Sequence, residues 1–122
     1  MWKGLKVNIN TKSMIPEKYR ELIEKLIRAT RQKKVVWEQT SREAEYKAVI
    51  GSSMVTTDNW DFPDNVMNAD VAIWNSNGMK VDSIQAMEGT EDYAEIMKLH
   101  SVARASFLRA DETIADILGH LE

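Results

Sequence analysis

Three patterns in the chain predict an α+β domain in which two helices, one amino-terminal and one long and carboxy-terminal, pack on one face of a three- to four-stranded antiparallel meander. Over residues 91–118, Tyr93, Ile96, His100, Ala103, Phe107, Ala110, Ile114 and Ile117 recur at alternating spacings of three and four. That spacing holds a single helix seam against a partner. Between residues 71 and 84, two β-prone runs flank Asn77-Gly78, the strongest short-range hairpin signal. From Pro16 to about residue 32, Tyr19, Leu22, Ile23, Leu26, Ile27 and Thr30 form one helix face. Two helices with one apolar face each, placed before and after a meander, bury those faces by pairing on the sheet. A chain of 122 residues fits one domain spanning 1–122. Folding at this size buries roughly two thirds of the unfolded surface, which needs neither metal nor disulfide.

Each element has local reasons. Lys6, Val7, Asn8 and Ile9 alternate weakly, which places Val7 and Ile9 at a sheet edge in a short strand or leaves them irregular. Pro16 suits the first helical position and pushes Ile15 out of the helical region. Met14 and Tyr19 stand where a hydrophobic staple would form. Glu21–Lys25 and Glu24–Arg28 are favourable pairs one turn apart. Arg28, Arg31, Lys33 and Lys34 gather where the helix dipole is negative. After Val35-Val36-Trp37, the polar residues 38–43 read as a loop or the start of a strand. Residues 46–50 alternate as a half-buried strand, Gly51 turns the chain, and residues 52–57 are β-prone. Residues 58–66 are a loop by composition. With Asn77-Gly78 as a two-residue loop, Val71 faces Ile84, Ile73 faces Asp82 and Trp74 faces Val81. Val71, Ile73 and Ile84 then face the helices, and Ala72, Trp74, Met79 and Val81 give the second sheet face an apolar character of its own. Thr90 caps the last helix, Glu91 and Asp92 favour its positive end, and Gly119 ends it. Such a helix spans about 40 Å against about 25 Å for the first. The surplus must overhang, bend near Ala110-Asp111, or meet another subunit.

Composition excludes several classes. The net charge of −3 is too mild to imply nucleic acid or a membrane surface as partner. The chain has no cysteine, so thiolate metal sites, Cys nucleophiles and disulfides are ruled out. No stretch approaches a membrane span, and the first residues lack the apolar run of a signal peptide. The expected location is the cytoplasm, with no cofactor.

The order of landmarks is a further guide: a first helix followed by Trp37-Glu38, an Asn77-Gly78 hairpin, and a closing helix with Leu99-His100 and Ala103-Arg104. In this the chain resembles a loosely defined group of small bacterial helix–meander–helix proteins of uncharacterised activity. His100 departs from the aromatic residue expected at its position. The resemblance implies the fold outline and carries no activity or site residues.

Candidate functional residues fall into a few groups. Trp60 and Phe62, set among Asp58, Asp61 and Asp64, have the make-up of a docking hot spot, with Trp60, Asp61 and Phe62 as partner-binding candidates. The competing expectation is a surface turn whose aromatics fold back on the sheet. The carboxylates recur every three residues, unlike the alternate ligands and distal Glu of a calcium loop. Phe107 and Ile114 are candidates for a partner-binding helix seam. His100, a polar group on that seam, is either a general base or ligand in a pocket walled by Trp37, or an aromatic substitute with bonded ring nitrogens. Two isolated histidines do not make a metal site. The basic group ending the first helix, with Arg42 and Lys47, meets either a phosphate or only its own helix dipole; no glycine-rich phosphate loop or aromatic RNA-binding signature accompanies it. Ser52, Ser53 and Ser101 lack any nucleophile motif.

Two functions remain. One is a non-catalytic protein-interaction or adaptor module that binds a protein partner or itself as a homodimer. The other is a small-molecule-binding domain or modest enzyme with a pocket between helices and sheet near His100. Lack of a catalytic constellation favours the first.

Overall fold

The computed structural model describes residues 14–122. Helix α1 spans Glu17–Arg31. Strands β1 (Glu38–Gln39), β2 (Tyr46–Ile50), β3 (Ser53–Trp60), β4 (Asn68–Trp74) and β5 (Lys80–Met87) follow, then helices α2 (Glu91–Leu108) and α3 (Ala110–His120). The strands form one antiparallel sheet whose spatial order equals chain order. This is the α+β helix–meander–helix arrangement, with five strands in place of three or four. The additional strand, β1, is two residues long and exists through its register, Glu38 opposite Lys47 and Gln39 opposite Tyr46. Two residues are too few for any hydrophobic period to be read.

Helices α1 and α2 pair on one sheet face. Tyr19, Ile23, Leu26, Ile96, Leu99 and Ala103 meet Tyr46, Ala48, Val55, Ala69 and Val71 in the core. Ile23, Ile96, Leu99 and Val71 are fully enclosed. The inner face of α1 was legible from its period, and the Glu21–Lys25 pair forms at 2.8 Å. Met14 does not staple the helix start. It is 75% exposed, and Ile15 takes the buried position. Thr90 caps α2 by accepting a hydrogen bond from the Tyr93 N–H at 3.1 Å. The expected edge strand at residues 6–9 lies outside the described residues.

Two boundaries differ from expectation. Residues 58–60 extend β3, with Asp58 opposite Asp70 and Trp60 opposite Asn68. Asp and Asn disfavour strands, but here their side chains are used. Arg42 binds the Asp58 carboxylate at 2.8 Å, and the Asn59 amide donates to the Asn68 carbonyl and to the Tyr93 hydroxyl. The loop is therefore residues 61–67. The long final helix takes one of the alternatives open to it, a bend beside Ala110-Asp111: Arg109 adopts a left-handed conformation (φ 56°, ψ 47°) between α2 and α3. A non-glycine residue there costs about 1–2 kcal/mol. Asp111 and Glu112 favour a new helix amino terminus at this point, and Arg109 pairs with Glu112 at 2.5 Å. Gly119 lies inside α3, which runs on to His120.

In the β4–β5 hairpin Val71 faces Ile84 and Ile73 faces Asp82, as the pattern predicts, but Trp74 faces Lys80 rather than Val81. The Asn75 side chain explains the shift. Its Oδ1 accepts hydrogen bonds from the Asn77 and Met79 N–H groups, and the Asn75 N–H donates to the Met79 carbonyl. The turn thus occupies residues 75–79 instead of two residues. A bulge absorbs the difference, and the Lys80 ammonium sits 5.5 Å from the centre of the Trp74 ring.

Candidate functional site

Among the described residues, the least satisfied part is the carboxy-terminal arm. In α2 the three-four stripe is used: Ile96, Leu99, His100 and Ala103 are buried. After the Arg109 turn the stripe continues without cover. No residue of α3 is buried. Ile114, Ile117, Leu118 and Leu121 are each more than half exposed. Their spacing of three, four and seven places them on one side of the helix.

At the base of the arm lies a groove of about 530 Å³. Val35, Val36 and Trp37 from the α1–β1 connection form one wall, and Val102 and Phe107 of α2 form the other. Val36 is 75% exposed. Arg31, Lys33 and Arg109 supply positive charge, and Asp111 and Glu112 enter from α3. Lys33 and Arg109 both carry positive φ, at 63° and 56°. Two non-glycine residues in that region beside one groove mark a locally strained surface. Arg28, Arg31, Lys33 and Lys34 are exposed and form no ion pair among the described residues.

The sequence candidates separate in space. Trp37 and Phe107 come together on opposite groove walls. Trp37 is buried and donates to the Thr30 hydroxyl at 2.9 Å, so its ring is a fixed wall. Phe107 is partly committed within the chain, since its ring lies 5.6 Å from that of Tyr46. Ile114 stands on the open arm. The Trp60, Asp61 and Phe62 group sits at the other end of α2, where Asn59 meets Tyr93. Trp60 is half-buried at the strand end, whereas Asp61 and Phe62 are exposed, Phe62 by 75%. The Phe62–Pro63 peptide is cis.

His100 lines none of these cavities. It is buried, and because a carbonyl can only accept, its Nε2–H donates to the Ala44 oxygen at 2.7 Å. Its ring meets Tyr46 edge-on at 5.4 Å. Burial, the largest effect, lowers its pKa against the opposing pull of the Ala44 bond. This is an aromatic substitute with a bonded ring nitrogen, not a base facing solvent.

On the second sheet face, Val49, Met54, Trp74 and Lys80 form one cross-strand row. Thr56, Asp58 and Ala72 are buried at its centre, with the Trp74 indole bonded to the Thr56 hydroxyl. Asp70 has its pKa pushed up to about 6, first by burial and then by the Asp58 charge. This face is more polar than alternation of its apolar residues implied. Arg42 belongs here with Asp58, not with the basic end of α1.

A shallower cavity of about 430 Å³ does lie between α1 and the sheet, but away from His100 and Trp37, the residues expected to wall it. Tyr19 and Leu22 meet Val55, Ile73 and Asp82 there. The Tyr19 hydroxyl is buried, with the Asp82 carboxylate beside it. Burial, and then the nearby Asp82 carboxylate, push its pKa up to about 12. The available signal was the register that set Asp82 beside Ile73 on the helix-covered side. The groove residues Val35, Val36, Arg31 and Lys33 were visible only as an apolar triplet following a basic run.

Among the described residues, no three His, Asp or Glu side chains converge as a metal site requires, and no helix is long and apolar enough to cross a membrane. No protein-family model, curated protein or solved structure matches the chain.

Proposed function

We propose that this protein is a non-catalytic interaction module that engages a partner chain through the α3 arm and the groove at its base. One observation carries the reading: an apolar helix stripe that continues the core seam yet leaves Ile114, Ile117 and Leu118 open to solvent. A helix of 11 residues is marginal on its own in water. Its apolar face is the kind that a partner groove accepts. The cysteine-free composition favours a reducing compartment such as the cytoplasm.

The test is site-specific photo-crosslinking in cells, with the reactive residue at Ile117 or, as control, at Gln85 on exposed β5. The expected result is a discrete protein adduct from position 117 and none from position 85. Equal or absent adducts at the two positions would refute the reading.

A second reading, small-molecule binding, draws support from the Tyr19 cavity, where a buried hydroxyl and the Asp82 carboxylate stand in an otherwise largely apolar space. It predicts a metabolite that raises the melting temperature of the wild type and not of Tyr19→Phe.

A further inference from the structure

We infer that the occupant of the groove is the α3 arm of a second copy of this chain, so that two arms dock reciprocally across a two-fold axis. This rests on the interaction reading above and names its partner.

Both halves of the contact are present on one chain. The arm offers a stripe, Ile114, Ile117, Leu118 and Leu121, and the groove offers Val35, Val36 and Phe107. Their charges are opposite. Beyond Glu112 the open part of the arm carries Asp116 and Glu122, whereas Arg28, Arg31 and Lys33 crowd the end of α1 beside the groove without an ion pair among the described residues. Where each arm enters the other copy's groove, the contact is made twice and the assembly closes at two subunits. The arm's own geometry keeps it from folding back fully. Arg109 turns the chain, and only the first residues of α3, Ala110 to Glu112, line the groove of their own chain. The remaining apolar residues are carried beyond it. Burying the stripe on a second copy gives α3 the tertiary packing that an isolated short helix lacks.

The test uses the full chain, which has no cysteine to confuse a disulfide readout. Native mass spectrometry is expected to give twice the 14.0 kDa chain mass. The Ile114→Asp/Leu118→Asp variant is expected to give the single mass with unchanged circular dichroism from the α1, sheet and α2 core. Arg31→Glu/Lys33→Glu is expected to weaken the dimer at least tenfold. Mixing a Val36→Cys chain with an Ile117→Cys chain under oxidation is expected to yield the mixed disulfide in preference to either symmetric one. A dominant Ile117→Cys homodisulfide would overturn arm-to-groove docking in favour of arm-to-arm pairing. A wild-type monomer at all concentrations would overturn the inference as well. If position 117 still crosslinked to a different protein in cells, the interaction reading would stand while this one fell. If it crosslinked to nothing, both would fall.

Discussion

The same apolar spacing runs through residues 96–103 of α2 and residues 114–118 of α3, yet the first stretch is enclosed and the second is open. The two differ in what lies opposite. Helix α2 meets α1 and the sheet, so Leu99 loses all contact with solvent. Beyond Arg109 the described chain offers α3 no comparable surface. A hydrophobic period therefore states that a face requires cover, and is silent on whether the cover comes from the same molecule. The turn at Arg109 divides a covered seam from an open one.

Substitutions along and around the seam can break or sharpen this contrast. The largest expected effect is in α2. Leu99→Ala removes a fully enclosed side chain and is expected to cost about 2–5 kcal/mol in urea unfolding. A loss under 1 kcal/mol would show that the enclosed half of the seam is not the stabilising half.

Next comes Asp70, on the sheet face away from α2. Its native pKa of about 6 lies above the ordinary aspartate value, so the folded state holds a proton that the unfolded state has released. Stability falls as pH rises from about 4 to 6. Asp70→Asn keeps an oxygen to accept the Asp58 N–H bond. It is expected to raise the melting temperature by a few degrees at pH 7 and to have no effect below about pH 4. A loss of stability at pH 7 would contradict the burial argument.

His100, on the enclosed seam, has the opposite sign. Its folded pKa is lowered, so the unfolded state gains a proton first as pH falls below about 6.5, and stability is lost there. His100→Gln retains a donor for the Ala44 carbonyl and is expected to flatten this acid limb while leaving the Asp70-dependent slope in place. An unchanged profile in melts across pH 5–7 would separate His100 from the acid response.

The smallest effect on the folded monomer belongs to the arm. Ile114→Ala and Leu118→Ala are each expected to change its stability by less than about 0.5 kcal/mol, measured at dilutions where any assembly is dissociated. A larger loss would show that α3 is covered within its own chain.

The sequence was most legible where one residue type serves one local purpose. The α1 period, the Thr90 cap and the Val71–Ile84 register follow from spacing and capping chemistry. It was least legible where a side chain overrides its own propensity. Asn75 captures two backbone N–H groups and lengthens the turn, so Trp74 meets Lys80. Asp58 and Asn59 join a strand because Arg42, Asn68 and Tyr93 receive their side chains. No glycine or proline marks the turn at Arg109, so the helix length left a bend near Ala110-Asp111 as only one of three alternatives. The candidate site shares this limit. Phe107 and Trp37 could be named from apolar patterning, but their shared groove depends on where the α1–β1 connection passes α2. His100 looked functional because it is polar on an apolar seam, and only the Ala44 carbonyl explains its presence.

The sheet order has a consequence for how the chain reaches this structure. Each strand pairs with its neighbour in sequence, so every hairpin closes a short loop and forms with little loss of chain entropy. The costly step is the meeting of α1 with α2, which closes the whole meander as one loop. Helix α3 buries no residue and so adds little to that core. A chain ending before Ala110 is thus expected to fold at the rate of the full chain in stopped-flow refolding.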